Sequence, residues 1–262
     1  MAYFDDIWRL FSEIRQMPRV SVDLMYSATA NNDPFFEQMV RRHYREARSR
    51  HSRYWIIRRM VHGVAICQLP ATFDEYYMQI EAAARRNHKK ALREGCVVRR
   101  FEFNAELNAI RDIRLSADER QGRKMPDEYR QGIVRPSFNP RSRNSIHDYP
   151  HYGVFLKDQL VAYAGCMIAG EVCCLEHILG HADYLPLGIV PQLIIEIGRD
   201  LFVTYPQVRY YAYGMYFGAG ETLQRFKRKF DFLPHRVDWL LERENSILQK
   251  STLASLREVH AT

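Results

Sequence analysis

The sequence predicts a mixed α+β fold, in which helices flank a central, twisted and mostly antiparallel sheet and extra helices precede it. Three observations predict this class. Several segments with helical periodicity come before residue 116. Residues 151–182 read as three consecutive antiparallel strands joined by tight turns. Residues 172–215 read as strand, glycine turn, helix and strand, and a right-handed crossover places the last strand parallel to a sheet neighbour.

Composition and charge indicate a globular protein that favours acidic partners. The 262 residues suit one large domain or two small ones, and an apolar content of 47% is ample for a core. The formal net charge of +7 favours nucleic acid, cofactor phosphates or an anionic membrane surface as partners. A solvated basic surface without a specific partner explains the same charge equally well.

Cysteine usage and the N-terminus indicate the compartment. The five cysteines show no CxxC spacing, which is typical of buried thiols in a reducing environment. The N-terminal MAYFDDIWRLF is acidic where a signal peptide is basic, and no apolar run reaches the length of about 20 residues that spans a bilayer. We therefore expect a soluble, cytoplasmic protein with no membrane span.

The first predicted elements are helices. Apolar residues at helical spacing predict a helix over residues 3–16, which ends before Pro18. A second helix begins at Asp33-Pro34, because a capping residue followed by proline is typical of a first turn. The expected organisation is an N-terminal helical extension packed on the core, a core domain and a C-terminal helix, over residues 1–60, 61–242 and 243–262.

Two short β segments and a helix start are predicted between residues 54 and 110. Residues 54–69 read as strand, turn and strand around His62-Gly63. Residues 96–103 alternate as a strand does, and Asn104 is then expected to cap the next helix.

One long helix is predicted from Thr72 to Gly95. Thr72 with Glu75 three residues later is typical of a capping box, and a glycine commonly ends a helix. A cationic stripe follows one side of this helix, because residues three or four apart share a helix face. The stripe consists of Arg85, Arg86, Lys89, Lys90 and Arg93.

The second half of the chain begins with a segment rich in proline and charge. Residues 116–150 are typical of a mobile loop or lid. Turns at Lys157-Asp158 and Gly170-Glu171 then separate the strands of the meander. The remaining predicted elements are a helix over 189–202, a strand over 208–215, a helix over 220–230 and a last strand over 235–243. The turn at Gly188 presents backbone N–H groups at a helix N-terminus, where a phosphate is favoured.

Three segments resemble the FemAB-like branch of the GNAT acyltransferase superfamily. Residues 74–95 are similar to the branch's helical "weeYl…l…k.Rrnirka.r.G" segment, and residues 153–165 resemble its central hairpin. Residues 221–235 resemble its closing F-K-x-x-F-G-F-x-P motif, in which Asp231 here takes the place of the usual glycine. The resemblance covers roughly residues 60–242. The relatives that it indicates are cellulose-biosynthesis-type acetyltransferases and peptidoglycan-bridge aminoacyltransferases.

The resemblance implies transfer of an acyl group to a small-molecule or peptide amine. Acyl-CoA is the expected donor, aminoacyl-tRNA is the alternative donor, and a non-catalytic relative that binds nucleic acid or a partner is the remaining alternative. In this fold the donor lies in a V between the strands before the glycine turn and after the helix, here residues 172–180 and 208–215. The implied donor-binding residues are Ile178, Leu179, Gly188, Ile189, Val190 and Lys227.

Direct attack by an amine requires a base, an oriented carbonyl and a proton donor for the leaving group. Any one of Glu176, His177, His181 and Asp183 could be the base or could anchor the substrate amine. Glu176 and His177 are selected as catalytic residues, together with Tyr213 as the proton donor. Residues of these types also occur on strand surfaces without any catalytic role. The candidate acceptor-binding residues are Arg120, Arg123, Tyr129, His181 and Tyr216.

A tRNA donor and a metal ion make different demands on the sequence. A tRNA acceptor stem would follow basic helices through phosphate contacts. The residues suited to this are Arg85, Arg86, Lys89, Lys90, Arg93 and Arg228. His177 and His181 are four residues apart, but on a strand without further ligands, so no metal is expected.

Overall fold

The structure is a computed structural model that describes residues 16–29, 33–50, 58–120, 123–217 and 219–243. The helices expected at the two ends of the chain, over residues 3–16 and beyond residue 243, lie outside the described residues. No helix in the described part combines the length and apolar content needed to cross a bilayer. All five cysteines are buried free thiols, as predicted.

Helices and strands follow one another largely in the order that the sequence predicts, but several of them begin or end at other residues. The helices are α1 (Pro34–Arg48), α2 (Phe73–Gln79), α3 (Ala82–Arg93), α4 (Leu107–Leu115), α5 (Asp127–Arg130), α6 (Ile189–Thr204) and α7 (Glu221–Arg228). Short 3-10 helices cover Tyr26–Thr29, Phe103–Ala105 and Ala182–Leu187. The strands are β1 (Arg19–Asp23), β2 (His62–Gln68), β3 (Val97–Arg100), β4 (Glu119–Arg120), β5 (Arg123–Lys124), β6 (His147–Asp148), β7 (His151–Leu156), β8 (Gln159–Ala169), β9 (Val172–Gly180), β10 (Tyr210–Met215) and β11 (Leu233–Leu240).

Nine of the strands in the described residues form one mostly antiparallel sheet. Their order is β1-β11-β2-β10-β9-β8-β7-β3, and β6 pairs along β8. The parallel pairs are β1 with β11 and β9 with β10. The predicted fold class and the predicted meander β7-β8-β9 are therefore confirmed, as is the parallel crossover through α6. Strands β4 and β5 form a separate two-stranded hairpin.

Helices cover both faces of this sheet. On one face α3 and α6 bury residues such as Ile194 and Ile197 against β8 and β9. On the other face α1 packs on the half of the sheet that contains β11, and α4 packs on the half that contains β7 and β8. Complete burial of each such aliphatic side chain contributes about 1.5 to 3 kcal/mol. Strand β8 is buried on both faces, which explains its continuous apolar sequence.

The helix predicted over residues 72–95 is two helices. The capping box at Thr72 and Glu75 is present and begins α2 as predicted. The chain then becomes extended at Ile80, and the Glu81 N–H donates to the Lys229 carbonyl 2.9 Å away. A tertiary hydrogen bond therefore interrupts a pattern that is locally continuous.

Two further local predictions are wrong, and the predicted start of α1 is confirmed in its position only. His62 and Gly63 lie inside β2 rather than in a turn. Gly63 has a φ of +79°, which glycine can adopt within a strand. The Asp33 side chain makes no capping hydrogen bond, although Pro34 does begin α1. Asn104 does not cap α4, since its side chain bonds the backbone of Ser137 in both directions.

Strand β1 is an element that the sequence did not predict. It pairs in parallel with β11, from Arg19 opposite Arg236 to Asp23 opposite Leu240. The proposed boundary near residue 60 stays a prediction, but the sheet continues across it. The segment 116–150, expected to be a loop or lid, contains β4, β5, α5 and β6, and its Met125, Tyr129 and Val134 pack against α4 and β8.

Candidate active site

Strands β9 and β10 separate partway along their length. They pair through three positions, from Val172 opposite Tyr210 to Cys174 opposite Ala212. Beyond Cys174, β9 continues without pairing to β10. A bulge interrupts β9 there. Tyr163 of β8 pairs with Leu179 and Gly165 pairs with Glu176, so that two residues of β9 lie opposite one residue of β8. His177 at this bulge has a φ of +50°, an uncommon conformation for a residue with a side chain.

The bulge changes which side chains face which side of the sheet. Ile178 packs toward the face covered by α3 and α6, whereas Leu179 packs toward the face covered by α4. The consecutive residues His177 and Ile178 line two different cavities, and Leu179 lines the same cavity as Ile178. We call these the acceptor pocket and the donor cleft, after the roles that are proposed for them below.

The donor cleft has a volume of about 550 Å³ and lies where β9 and β10 diverge. The end of β9, the N-terminus of α6, the inner side of α3 and the end of α7 line it. Further lining comes from β10, from the residues at β4 and from the 3-10 helix before α6. Its predicted members are Ile178, Leu179, Val190, Tyr213 and Arg120, and it also includes Asn87, Glu119, Phe226, Lys229 and Phe230. The donor side of the site therefore contains five of the residues selected from sequence.

Arg120 was expected to bind the acceptor, but the structure places it in the donor cleft. Its Nη1 donates to the Gly180 carbonyl at 2.6 Å, and its Nη2 donates to the Ile113 carbonyl and the Ser116 hydroxyl. Its Nε is buried without a hydrogen-bond partner. Burial lowers the pKa of this guanidinium. Among the described residues it forms no ion pair, so an anionic group in the cleft would compensate its charge.

Gly188 has a structural role that was not anticipated. Its φ is +87°, and a Cβ atom there would lie 2.5 Å from the Asn87 carbonyl oxygen of α3. Its own N–H donates to the Leu185 carbonyl, so it is not free to hold an anion. The residues before it form a 3-10 helix rather than an open loop. Its donor-binding role stays a prediction.

The N-terminus of α6 offers few free donors. In a helix the first N–H groups have no intrahelical acceptor, but the third residue here is Pro191, which has no N–H. Ile189 and Val190 are left to supply N–H groups toward the cleft. The Ile189 side chain points away into the core, completely buried, while the Val190 side chain lines the cleft.

Tyr213 lines the donor cleft, and Lys227 packs against its ring outside the lining. Burial raises the pKa of Tyr213 to about 12, so its hydroxyl stays protonated at neutral pH. Lys227 is 3% exposed, and its Nζ lies 4.9 Å from the Tyr213 ring centroid and donates to the Met215 carbonyl at 2.7 Å. Burial lowers the pKa of Lys227 to about 8. Lys227, which has no carboxylate partner in the part of the chain that the structure describes, thus supports the aromatic wall of the cleft.

The acceptor pocket lies on the opposite face of the sheet and has a volume of about 280 Å³. Its lining is largely aromatic, with charged residues at its rim. The members are Phe103, Arg114, Glu128, Tyr129, Ile133, Arg135, Ser137, Asn139, Tyr149, His151, Tyr163, Gly165 and His177. Of the predicted acceptor residues, only Tyr129 is among them.

The two candidate bases differ in their surroundings. Glu176 is partly buried, and its Oε2 accepts a hydrogen bond of 2.6 Å from the Tyr149 hydroxyl. His177 is exposed at the bulge, with its Nδ1 3.4 Å from the Tyr129 hydroxyl. His151 lines the same pocket, and burial together with the neighbouring His177 lowers its pKa to about 4. His151 is therefore neutral at physiological pH.

The remaining predicted acceptor residues lie outside the pocket. His181 begins the 3-10 helix after β9, where its Nδ1 accepts from the Asp183 N–H at 3.3 Å. Tyr216 is 7% exposed, and its hydroxyl accepts from Arg228 at 3.1 Å. The backbone of Arg123 pairs with that of Arg120, but its side chain lies outside what the structure describes.

The cationic stripe of α3 is partly used inside the protein. Arg85 donates to the Tyr77, Met78 and Ile80 carbonyls, where it caps the end of α2. Lys90 donates to the Pro186 carbonyl at 2.8 Å. The exposed residues of the stripe are Arg86, Lys89 and Arg93. A possible nucleic-acid surface on α3 is therefore smaller than the sequence indicates.

Sequence reasoning missed most of the acceptor pocket, including Arg114, Tyr149 and His151. None belongs to a recognisable motif, and they come from α4, the segment before β7, and β7 itself. A histidine beginning a strand and a tyrosine before Pro150 are common sequence features. No group of three or more His, Cys, Asp or Glu side chains in the described part of the chain is arranged to hold a metal.

The sequence matches no protein-family model and no curated protein. Among solved structures, FemX is similar with a TM-score of 0.50 at 10% identity, covering 67% of this chain and 60% of FemX. L-PGS from Bacillus licheniformis gives a TM-score of 0.42 at 16% identity, covering 66% of this chain and 57% of L-PGS. PaiA N-acetyltransferase from Thermoplasma acidophilum, in complex with coenzyme A, gives a TM-score of 0.39 at 14% identity, covering 51% of this chain and 87% of PaiA.

The likeness to FemX shows the fold alone. The described chain has the GNAT acyltransferase fold, as predicted from its sequence. This chain spans less than two thirds of the length of FemX and of L-PGS.

Proposed function

We propose that the protein is an N-acyltransferase that transfers an acyl group directly from a donor in the donor cleft to an amine in the acceptor pocket. The observation that carries this proposal is the bulge in β9. Consecutive residues, His177 and Ile178, line cavities on opposite faces of the sheet. Direct transfer needs two substrates that approach one point from different sides, and the bulge provides such a point.

The side chains present supply the proton transfers of this reaction. The amine nitrogen bonds to the donor carbonyl carbon, the bond from that carbon to the leaving sulfur breaks, and the amine gives up a proton to a base. His177 is the preferred base because it is exposed in the acceptor pocket, whereas Glu176 is engaged by Tyr149. The Tyr213 hydroxyl protonates the leaving thiolate and regains its proton from solvent.

Acyl-CoA is the donor that this geometry supports best. Beyond Cys174 the edge of β9 that faces β10 is unpaired, so the amide groups of an extended pantetheine arm can hydrogen-bond to it. Arg120 and Lys229 line the cleft and suit the phosphates of CoA. Five buried free thiols fit the cytoplasm, where CoA thioesters are available.

Aminoacyl-tRNA is the second candidate donor. The exposed cations of α3 and α7, including Arg86, Lys89 and Arg228, support it through possible phosphate contacts. It ranks lower because Arg85 and Lys90 of the same surface already bind backbone carbonyls. The acceptor in either case is an amine small enough, or extended enough, to enter the acceptor pocket.

Calorimetric titration with acetyl-CoA and a longer acyl-CoA tests the proposal. We expect micromolar binding, equivalent to about −8 kcal/mol. Val190→Trp fills the cleft and should weaken binding at least about tenfold through steric exclusion. Val203→Trp is the matched control, because Val203 is 78% exposed near the other end of α6, and its binding should be unchanged.

Each alternative gives a distinct result. Binding of charged tRNA without binding of any acyl-CoA would replace the proposed donor by aminoacyl-tRNA. Absence of binding to both, together with no turnover across a panel of amines, would contradict an enzymatic function and favour a non-catalytic relative. Equal loss of binding in Val190→Trp and Val203→Trp would place the donor elsewhere.

A further inference from the structure

Arg114 carries a charge that the rest of the acceptor pocket does not compensate. Its Nε donates to the Tyr163 hydroxyl at 3.2 Å, and its Nη1 donates to the Ile133 carbonyl. Its guanidinium carbon lies 4.1 Å from the centroid of the Tyr129 ring. All of these partners are neutral, and no carboxylate among the described residues pairs with it.

The guanidinium keeps donors available for a ligand. An arginine has five N–H donors, and the contacts of Arg114 use one on Nε and one on Nη1. Its Nη2 makes no hydrogen bond to a described residue, and the side chain lines the pocket. A partly buried guanidinium in this state favours a planar anion that accepts two hydrogen bonds.

The other charged groups around the pocket do not supply that anion. Glu128 forms an ion pair of 2.7 Å with Arg135, so these two compensate each other. His151 is neutral at physiological pH because burial lowers its pKa to about 4. Glu176 is held behind Tyr149, whose hydroxyl donates to it. Arg114 therefore has no ion-pair partner among the described residues, and an anionic ligand in the pocket would supply one.

Tyr129 sets the distance between Arg114 and the candidate base. Its ring lies against the guanidinium, while its hydroxyl lies 3.4 Å from His177 Nδ1. The base and the anion site are thus separated by about one tyrosine side chain. The amine nitrogen and carboxyl carbon of an α-amino acid are about 2.5 Å apart. With a hydrogen bond of about 2.9 Å at each end, a bound amino acid is about as long as the distance between Arg114 and His177.

We infer that the acceptor is an amino acid or a short peptide whose carboxylate binds Arg114 while its amine faces His177 and the bulge. This inference rests on the proposed function and specifies its acceptor class. Arg114 is then a specificity-determining residue that touches the substrate. The pocket volume of about 280 Å³ suits a group of amino-acid size.

Binding of matched ligand pairs tests the inference without any donor. Phenylalanine is compared with phenethylamine, and tryptophan with tryptamine, by calorimetry on the full chain. We expect the amino acid of each pair to bind about tenfold or more tightly, because hydrogen bonds to a charged group are lost with the carboxylate. Arg114→Gln should abolish the difference, and Arg114→Lys should keep part of it.

Arg111→Gln is the matched control. It removes a positive charge from the same helix, α4, but from an exposed side chain that does not line the pocket. It should keep the preference for the amino acid. Thermal unfolding of each variant separates a ligand-binding role of Arg114 from a purely structural one, because a structural role alone lowers the melting temperature without changing the ligand ratio in the folded protein.

The same pairs are then assayed for acylation with the donor identified above. Support requires a higher kcat/KM for the amino acid, lost in Arg114→Gln mainly through a raised KM. Equal kcat/KM within each pair would overturn this inference and leave the acyltransferase proposal standing. Amino-acid binding that depends on Arg114, without transfer from any donor, would support the pocket assignment and overturn the enzymatic proposal. Competition by inorganic phosphate as strong as by acetate would contradict a carboxylate site.

Discussion

The donor cleft and the acceptor pocket are built in different ways on opposite faces of the same sheet. The donor cleft is lined mainly by apolar residues, chiefly from residues 178–191 and 213–230, with residues 84–87 and 117–120 completing it. The acceptor pocket is lined by aromatic and polar side chains from residues 103–177, which include a segment of little regular structure. The bulge at His177 is where the two meet.

This difference separates what is general from what is specific in the proposed reaction. A donor held by strand edges and a helix N-terminus needs few particular side chains, so many sequences can form such a cleft. An acceptor held by side chains depends on residues such as Arg114 and Tyr129. We therefore expect substitutions in the donor cleft to affect donor binding, the chemical step or the fold, and substitutions in the acceptor pocket to affect substrate choice.

The largest effect is expected from Tyr213→Phe. Loss of the proton donor should reduce kcat by about 100-fold or more, while donor binding stays within about twofold, because the ring remains in place. Steady-state kinetics and calorimetry on the same preparation measure both quantities. Tyr210→Phe is the control, since Tyr210 lies in the paired half of β10, away from the cleft. A similar loss in both variants would contradict a specific role for Tyr213.

Gly188→Ala tests whether backbone packing maintains the donor cleft. The new Cβ would lie 2.5 Å from the Asn87 carbonyl oxygen, at a φ of +87°. We expect the free energy of unfolding to fall by about 3 kcal/mol in urea denaturation, from left-handed strain plus steric overlap. Gly95→Ala is the control, because Gly95 has a φ of +81° with nothing within 4 Å, and it should cost about 1 kcal/mol. Equal losses would show that contact with Asn87 is unimportant.

His151 makes the acceptor side sensitive to acid. Burial lowers its folded pKa to about 4, below the value of 6.5 expected in the unfolded chain. Between these values the unfolded chain binds more protons, so stability is lost as the pH falls from about 6.5 to about 4. His151→Gln should reduce that loss by about 2 kcal/mol, less than the full shift because the side chain is partly exposed.

His43 provides the comparison for this prediction. Burial also lowers its pKa to about 4, but it packs against Trp239 under α1, away from both cavities. His43→Gln should reduce acid sensitivity to a similar extent and leave acceptor binding unchanged, whereas His151→Gln should alter acceptor binding. Identical acceptor affinities in the two variants would show that His151 does not contribute to the acceptor pocket.

The smallest effect concerns Lys227 beneath the donor cleft. Its folded pKa of about 8 lies below the ordinary value of 10.5, so it loses its charge as the pH rises through 8. Donor affinity should fall about fivefold between pH 7 and 9, the scale of one charge acting across a partly solvated cleft. Stability should rise over pH 8 to 10.5, because there the unfolded chain binds more protons.

Lys227→Met should make donor affinity independent of pH over this range. Lys229→Met is the control, because Lys229 lines the cleft but is only partly buried, and its variant should keep the pH dependence. A wild-type affinity that is constant from pH 7 to 9 would show that the charge of Lys227 does not reach the donor.

Asp231 shows how a motif can be kept with a different residue. The FemAB-like motif has glycine there, and Asp231 adopts a φ of +60°, the left-handed conformation that glycine favours. Its side chain accepts a hydrogen bond from Gln79. The turn is therefore retained, and aspartate is among the non-glycine residues that tolerate this conformation best.

The sequence by itself determined the class of fold, the β9-α6-β10 crossover and most of the donor cleft. Hydrophobic periodicity, capping residues and turn residues are local signals, each set by a few neighbouring positions. Ile178, Leu179, Val190 and Tyr213 all lie in the crossover that such signals predict. Only the tertiary structure decided the acceptor pocket, the break between α2 and α3 and the pairing of β1. These depend on contacts between residues far apart in the chain, such as the Glu81 N–H with the Lys229 carbonyl, and no local pattern records them.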